Sequence, residues 1–341
     1  MENNTTDAAV DAATYSERAI IGTSQILASS FMIFNYVAVL YVIIKDKRFF
    51  YDPYYVITLN MGISDIIQLW FNGILGGLIC IMPFDVPHAV KHIAGTAPFG
   101  SWYAYIFLSQ SLALNRLCAV YWPRKIRSVF SLRNTLVLTV ACWCHGLVWT
   151  IIFVRPSIDN SYDPDWYTQI FAETEEATFI LDVMTVIDFT HSFTVFSIYS
   201  LLFLKVIKTR QFTSFNSPHR NMERKVLLQS LIVCCMDSSA AIFYDVTPFL
   251  PQSRFLTLAA NWTWMLCTGN CPLVFLAFNR QLRDNVKKHI FRINAPVVQI
   301  TEVKSTTRIL SIPNLPLVNR AEGRISQKSC LKTSKDLLWA R

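Results

Sequence analysis

Seven stretches of this chain are long and apolar enough to cross a lipid bilayer, and that decides what it can fold into. They run over residues 20–44, 54–81, 93–121, 132–154, 177–206, 225–249 and 255–278. Hydrocarbon about 30 Å thick, at a rise of about 1.5 Å per residue, takes roughly 20 mainly apolar residues per crossing. No water is present there to satisfy peptide groups, so a lone spanning segment must bond its own backbone, as a helix does. The third and fifth stretches are the least uniformly apolar, and only "LPQSR" separates the sixth from the seventh, which fits a tight turn. Composition agrees: 16% of residues are charged, where a soluble domain carries about 25%. The expected class is all-α, a seven-transmembrane helix bundle with a C-terminal amphipathic surface helix.

Lysine and arginine set the orientation, because they collect on the cytoplasmic side. With the N-terminus outside, 27 of the 31 fall on that side, and the short loops alone hold 14 against 4. The expectation is a multi-pass plasma-membrane protein with an extracellular N-terminus and a cytoplasmic C-terminus. The net charge of +8 then marks a rim facing anionic membrane lipids, not a nucleic-acid surface. Residues 1–19 form the extracellular N-terminus. They lack the basic-then-apolar pattern of a signal peptide and hold overlapping glycosylation sequons at Asn3 and Asn4. A third sequon, at Asn261, falls inside a span and is expected to stay unused. Residues 20–279 make the membrane domain. Beyond it Phe278, Leu282, Val286 and Ile290 recur every fourth residue among basic ones, so 280–292 is expected to lie as an amphipathic helix in the membrane surface. Residues 293–341, rich in Ser and Thr, read as a disordered cytoplasmic tail. Eight of the nine cysteines fall in spans, none with zinc-ligand spacing in a polar context. Most read as small packing residues, and no metal is expected.

A charge in hydrocarbon costs about 3 kcal/mol on insertion scales, so Asp65, Asp182, Asp188, Asp237 and Asp245 each need an account. Asp65 is mid-way along the second span. Asn35 in the first and Asn270 and Pro272 in the seventh lie at similar depth. Together they form either a central polar cluster able to hold a cation or a helix-packing contact. A sodium ion near Asp65 is the one cofactor this leaves open. Asp188 and His191 are one helical turn apart and share a face. With Trp102, Tyr244, Asp245 and Met265, chosen by depth and polarity, they are candidates to line a pocket open to the outside. Enzymatic chemistry is not expected. Tyr244-Asp245 matches one half of an intramembrane aspartyl protease pair, but "CTGNCP" in the seventh span has no second Asp, and one carboxylate cannot do paired acid–base work. A transporter or channel subunit is the alternative, though no inverted repeat is visible.

The motifs, taken together, resemble the rhodopsin-like seven-helix receptors. "LNMGISD" ends in Asp65, "LNRLCAVYWP" carries Asn115-Arg116-Leu117 where those receptors have Asp-Arg-Tyr, and "NCPLVFLAFNR" is similar to their Asn-Pro-x-x-Tyr region. More narrowly, "WYAYIFLSQSLALNRLCAVYWPRKIRSVFS", "YDPDWYTQ" and "CPLVFLAFNRQLR" resemble the nematode serpentine receptor class X chemoreceptors. The resemblance implies a G-protein-coupled chemosensory receptor for a small molecule. Asn115 and Arg116 would switch coupling to a heterotrimeric G protein, with arrestin at the phosphorylated tail. Pro272 would kink the seventh helix, and Phe275 occupies the family's Tyr position. Asn115 leaves Arg116 without an adjacent acid, Cys271 stands in the Asn position before Pro272, and the usual outer disulfide has neither partner. The loop over the pocket is then held by packing alone or is looser. The third-span position where amine receptors carry Asp falls at Pro98 or its neighbours, so a monoamine ligand is not expected.

Overall fold

Most of the long helices start on a residue whose side chain can stand in for the missing turn. Thr14 accepts from the Glu17 N–H and opens α1 (Tyr15–Lys45). Asp52 accepts from the Tyr54 N–H, and Pro53 follows it at the first helical position of α2 (Pro53–Ile81). Ser131 opens α4 (Leu132–Phe153). Ser253 opens α7 (Arg254–Phe278), and Asn279 opens α8 (Arg280–His289). These caps satisfy N–H groups that a helix cannot bond internally. The remaining crossings are α3 (His88–Tyr121), α5 (Glu175–Gln211) and α6 (Pro218–Val246). This computed structural model describes residues 13–211, 218–251 and 253–290, with backbone only at 206, 207, 209–211, 218–227 and 248. The sequons at Asn3 and Asn4, the tail 293–341 and Cys330 lie outside the described residues.

The seven long helices form one bundle, as expected. Among the described residues only α1, α2, α4 and α5 are apolar enough to cross on composition alone. The physical reason is placement. α3 runs through the centre, where Thr96, Ser101, Ser109, Ser111 and Asn115 are buried against neighbouring helices. α7 buries Thr257, Asn261 and Thr268 in the same way. Polar residues facing protein do not need apolar surroundings along their own sequence. The outward faces carry the greasy surface instead: Leu27, Phe31 and Phe34 on α1, Val137, Val140 and Ile151 on α4, and Phe179, Val186 and Phe193 on α5 are all exposed. Helices approach closely where side chains are smallest. Gly22 faces Gly77 between α1 and α2, and Gly100 faces Gly146 between α3 and α4. α8 buries Leu282 and Val286 against Val39, Val42 and Ile43 at the end of α1, so its apolar stripe is partly covered by the bundle itself.

One end of the bundle is closed by a hairpin that periodicity did not reveal. β1 (Ser161–Asp163) pairs antiparallel with β2 (Thr168–Ile170), Tyr162 opposite Gln169. The turn is built by "DPDW": Asp163 Oδ1 accepts from the Asp165 N–H at 2.8 Å, the local bond that makes Asp a turn residue. Tyr167 takes φ 57°, a conformation uncommon for a tyrosine. Its ring is fully buried and its carbonyl receives the Asn261 amide at 2.7 Å. Tyr162, also fully buried, reaches Gln25 Oε1 at 3.3 Å. Gln169 donates to Asn72 Oδ1 at 2.8 Å, and Asn72 donates to Asn261 Oδ1 at 2.6 Å. Asn72 reaches this position from a π-helical turn, Leu69–Leu75, inside α2. Thr257 donates to the Trp166 carbonyl at 2.7 Å. The loop over the bundle is therefore tied by buried amides, with no disulfide among the described residues. Asn261 itself is fully buried and its side-chain amide is taken up by this network.

The tightest approach of the hairpin is at Gly95 of α3, where a Cβ would lie 2.8 Å from the Asn160 carbonyl carbon. Gly95→Ala should therefore push the hairpin off α3 and cost about 1–3 kcal/mol, read as a lower Tm of the purified protein. An unchanged Tm would show that the hairpin is not seated there.

Candidate functional site

Three groups of polar residues lie along the bundle axis. The first is at the end opposite the hairpin. Arg116 of α3 has no acid beside it in sequence, and the structure supplies a different support. Its guanidinium carbon lies 3.5 Å from the centre of the Tyr54 ring of α2, a stacked cation–π contact. The Tyr54 hydroxyl in turn accepts from Gln229 Nε2 of α6 at 3.4 Å. Arg116 Nε has no hydrogen-bond partner among the described residues. Asn115 is buried beside it. Asp52, the cap of α2, lies within electrostatic reach of Arg116. Burial raises its pKa, opposed by the Tyr54 N–H it accepts and by Arg116. Arg116 is thus held by an aromatic face, with the Asp52 carboxyl within longer electrostatic reach.

The second group is central. The Tyr36 hydroxyl reaches Asp65 Oδ2 at 2.6 Å and the Thr268 carbonyl at 2.7 Å. This ties α1, α2 and α7 together, with Cys271 buried in the same cluster. Asn35 and Asn270 do not join it. Each is spent on its own helix, Asn35 on the Phe31 carbonyl at 2.8 Å and Asn270 on the Leu266 carbonyl at 2.7 Å. One residue is about 100° on a helix, so Cys271 faces in and Asn270 faces away. Pro272 is buried inside α7, and Phe275 packs between the central cluster and the foot of α8. The donors do not fit a sodium ion. Asp65 is 3% exposed, the Tyr36 hydroxyl already engages one of its oxygens and the Thr268 carbonyl, and Met32, Leu69, Met265 and Cys271 pack around them, which leaves few oxygens for a hard cation that needs several.

The third group lies under the hairpin, and α3, α5, α6 and α7 build it. Trp102 Nε1 donates to Asp188 Oδ1 at 3.0 Å. Its ring stacks on Tyr105 at 5.5 Å and meets the edge of His191 at 6.3 Å. His191 Nδ1 lies 3.4 Å from Gln110 Nε2. Tyr244 packs on Trp264 at 5.3 Å, and Trp264 on Phe99 at 5.1 Å. Tyr244 also donates to Gln169 Oε1 of the hairpin at 3.3 Å. Trp102, Asp188 and His191 are each at most 9% exposed, so this cluster, the candidate ligand chamber, is closed off from the surface. Asp245 Oδ2 is shielded without a partner. Of the expected lining residues Met265 stands apart, packed with Met32, Tyr36 and Leu69 in the central cluster. Asp237 accepts from Tyr105 at 2.6 Å, and Asp182 is exposed. Sequence reasoning missed Phe99, Tyr103, Tyr105 and Trp264. The available signal was the aromatic spacing in "PFGSWYAYIF", three to four residues apart on one helical face. A separate cavity of about 580 Å³ lies beside the hairpin, lined among others by Tyr15, Arg18, Phe84, Lys91 and Asp165.

The model of the family described as serpentine type 7TM GPCR chemoreceptor Srt matches residues 4–298. The serpentine chemoreceptor reading therefore stands, and the matching class is Srt where the third-span stretch resembles class X. The crystal structure of squid rhodopsin superposes with a TM-score of 0.69, covering 82% of this chain and 87% of that one at 13% identity. At that identity the likeness concerns the fold, and it agrees with a seven-helix bundle. The family is a receptor class, so neither an enzyme nor the transporter alternative is retained.

The central cluster carries a test of its own. Tyr36→Phe leaves buried Asp65 without its donor and should cost about 1–3 kcal/mol, seen as a lower Tm. Exchanging sodium for choline at equal ionic strength should leave the wild-type Tm unchanged, and a sodium-dependent rise would restore the cation site.

Proposed function

We propose that this chain, which belongs to the Srt family of serpentine seven-helix G-protein-coupled chemoreceptors, binds an extracellular small molecule in the chamber under the hairpin and opens its Arg116 end to a heterotrimeric G protein. The N-terminus and the hairpin face the exterior, and the basic rim faces the cytoplasm and its anionic lipids. The asymmetry of lysine and arginine supports this orientation. Asn3 and Asn4 then stand where glycans are added, and a phosphorylated tail is available to arrestin.

A single observation carries the switch: the stack of Arg116 on Tyr54, with Gln229 of α6 on the Tyr54 hydroxyl. Movement of α6 away from α2 breaks the Gln229 contact and uncovers the face on which Arg116 rests. The guanidinium fork, with Nε already unpaired, can then offer donors to backbone or carboxyl oxygens of a partner. A ligand in the chamber touches α6 through Tyr244 and Asp245, and α5 through Asp188. It opens the far end only by as much as it prefers the open arrangement.

Tyr54→Leu removes the ring that holds Arg116. Ligand-independent signalling in a second-messenger reporter cell should rise roughly 2- to 30-fold, the population shift that a cation–π contact of about 0.5–2 kcal/mol allows. Arg116→Ala should cut signalling at least about tenfold at unchanged surface expression. Normal coupling in Arg116→Ala would remove the switch. Antibody labelling of a C-terminal epitope on intact cells would overturn the orientation.

A further inference from the structure

Two acid side chains under the hairpin, Asp188 and Asp245, are short of hydrogen-bond donors. Asp188 accepts a single bond, from Trp102 Nε1. Asp245 is half-buried, and its Oδ2 is shielded and has no hydrogen-bond partner among the described residues. The two carboxylates lie within electrostatic reach of each other. No lysine or arginine among the described residues pairs with either, and His191, one turn from Asp188, meets Gln110 instead. Tyr103 adds an independent sign. Its side chain is fully buried, its ring stacks on Trp149 at 4.2 Å, and its hydroxyl has no hydrogen-bond partner among the described residues. That hydroxyl lies within electrostatic reach of both Asp188 and Asp245. A buried hydroxyl without a partner is costly, and a buried carboxylate without one is more so. Two such groups, the Tyr103 hydroxyl and Asp245 Oδ2, each within electrostatic reach of Asp188, describe a site completed by something else.

We propose that the chamber recognises a small organic cation, an ammonium group carried on an apolar body; this rests on the chamber being the ligand site. An ammonium can donate to both acids and to the Tyr103 oxygen, and a cation beside them favours their ionised form. An anion would meet two acid side chains. A neutral alcohol could satisfy Tyr103 and leave the two acids without a cation. The walls suit the same guest: Trp102, Trp264, Tyr244 and Phe99 form an aromatic lining, and ring faces attract cations. The expectation against amines rested on the absence of an acid near Pro98 of α3. Here the acids come from α5 and α6, and Asp188 reaches Trp102, one turn beyond Pro98. The site is therefore acidic although α3 supplies no acid.

The test uses the full-length receptor, both in reporter cells and purified. Probes are primary amines from methylamine to phenethylamine, with phenyltrimethylammonium, 2-phenylethanol and phenylacetate for comparison. At least one amine should raise Tm and trigger signalling, while the alcohol and the acid of the same shape do neither. Asp188→Asn keeps an acceptor for Trp102 and should hold the fold; it and Asp245→Asn should each weaken the amine roughly tenfold or more. Tyr103→Phe removes the unpaired hydroxyl, so it should hold or raise the Tm of the free receptor while weakening the amine, a combination that a purely structural role would not produce. Amines that have no effect on Tm or signalling overturn the inference. Activation by neutral probes alone, lost in Trp102→Phe, overturns the cation and keeps the chamber. Activation by any probe that is indifferent to Trp102→Phe, Asp188→Asn and Asp245→Asn overturns the chamber itself.

Discussion

Hydrocarbon offers no hydrogen bonds, and every polar side chain in this bundle answers to that. An unpartnered amide or carboxylate in such a medium costs several kcal/mol, so polar residues are drawn to the axis and tied to one another across helices. Tyr36 with Asp65 and Thr268, Asn72 with Asn261 and Gln169, Trp102 with Asp188, and Tyr105 with Asp237 are bonds of this kind. They join helices far apart in sequence, so they fix the bundle's arrangement where non-directional apolar contact alone would leave several.

The same rule explains the mouth of the bundle. A loop crossing it without a disulfide has to bring its own anchors, and "YDPDWYTQ" does so with two buried tyrosines, an Asp-made turn and a glutamine that reaches Asn72. The wider turn at Leu69–Leu75 sets Asn72 facing inward, one of the uses to which π-helical turns are put. Roof and chamber are continuous, since Tyr244 touches both the Gln169 side chain and Trp264. A ligand bound there, as proposed, would be felt by the hairpin and by α6 together.

At the other end, where rhodopsin-like sequences pair the arginine with its neighbouring acid, this chain pairs Arg116 with a ring. A stacked guanidinium keeps its donors in the plane of the fork and free of a carboxylate clasp. This contact is weaker than a buried ion pair, and it passes through Gln229 to α6, the helix that the proposed opening would move.

The order of apolar stretches was enough to declare seven helices, the tight turn between the last two, and the amphipathic α8, because burial in lipid imposes length and hydropathy on each span separately. The asymmetry of basic residues was likewise readable, as were Asp65 and Arg116 as polar groups within spans and Trp102 and Asp188 as candidates for one pocket. Facing was not. Asn35 and Asn270 share the depth of Asp65 but point away from it, while Tyr36 and Cys271, each one residue on, point in. Met265 belongs to the central cluster and not to the chamber. Depth is counted along one helix, whereas facing depends on how that helix is rotated against its neighbours. That rotation is settled by close approaches such as Gly22 to Gly77 and by bonds such as Tyr36 to Asp65. These join residues distant in the chain, so only the packed bundle could decide them.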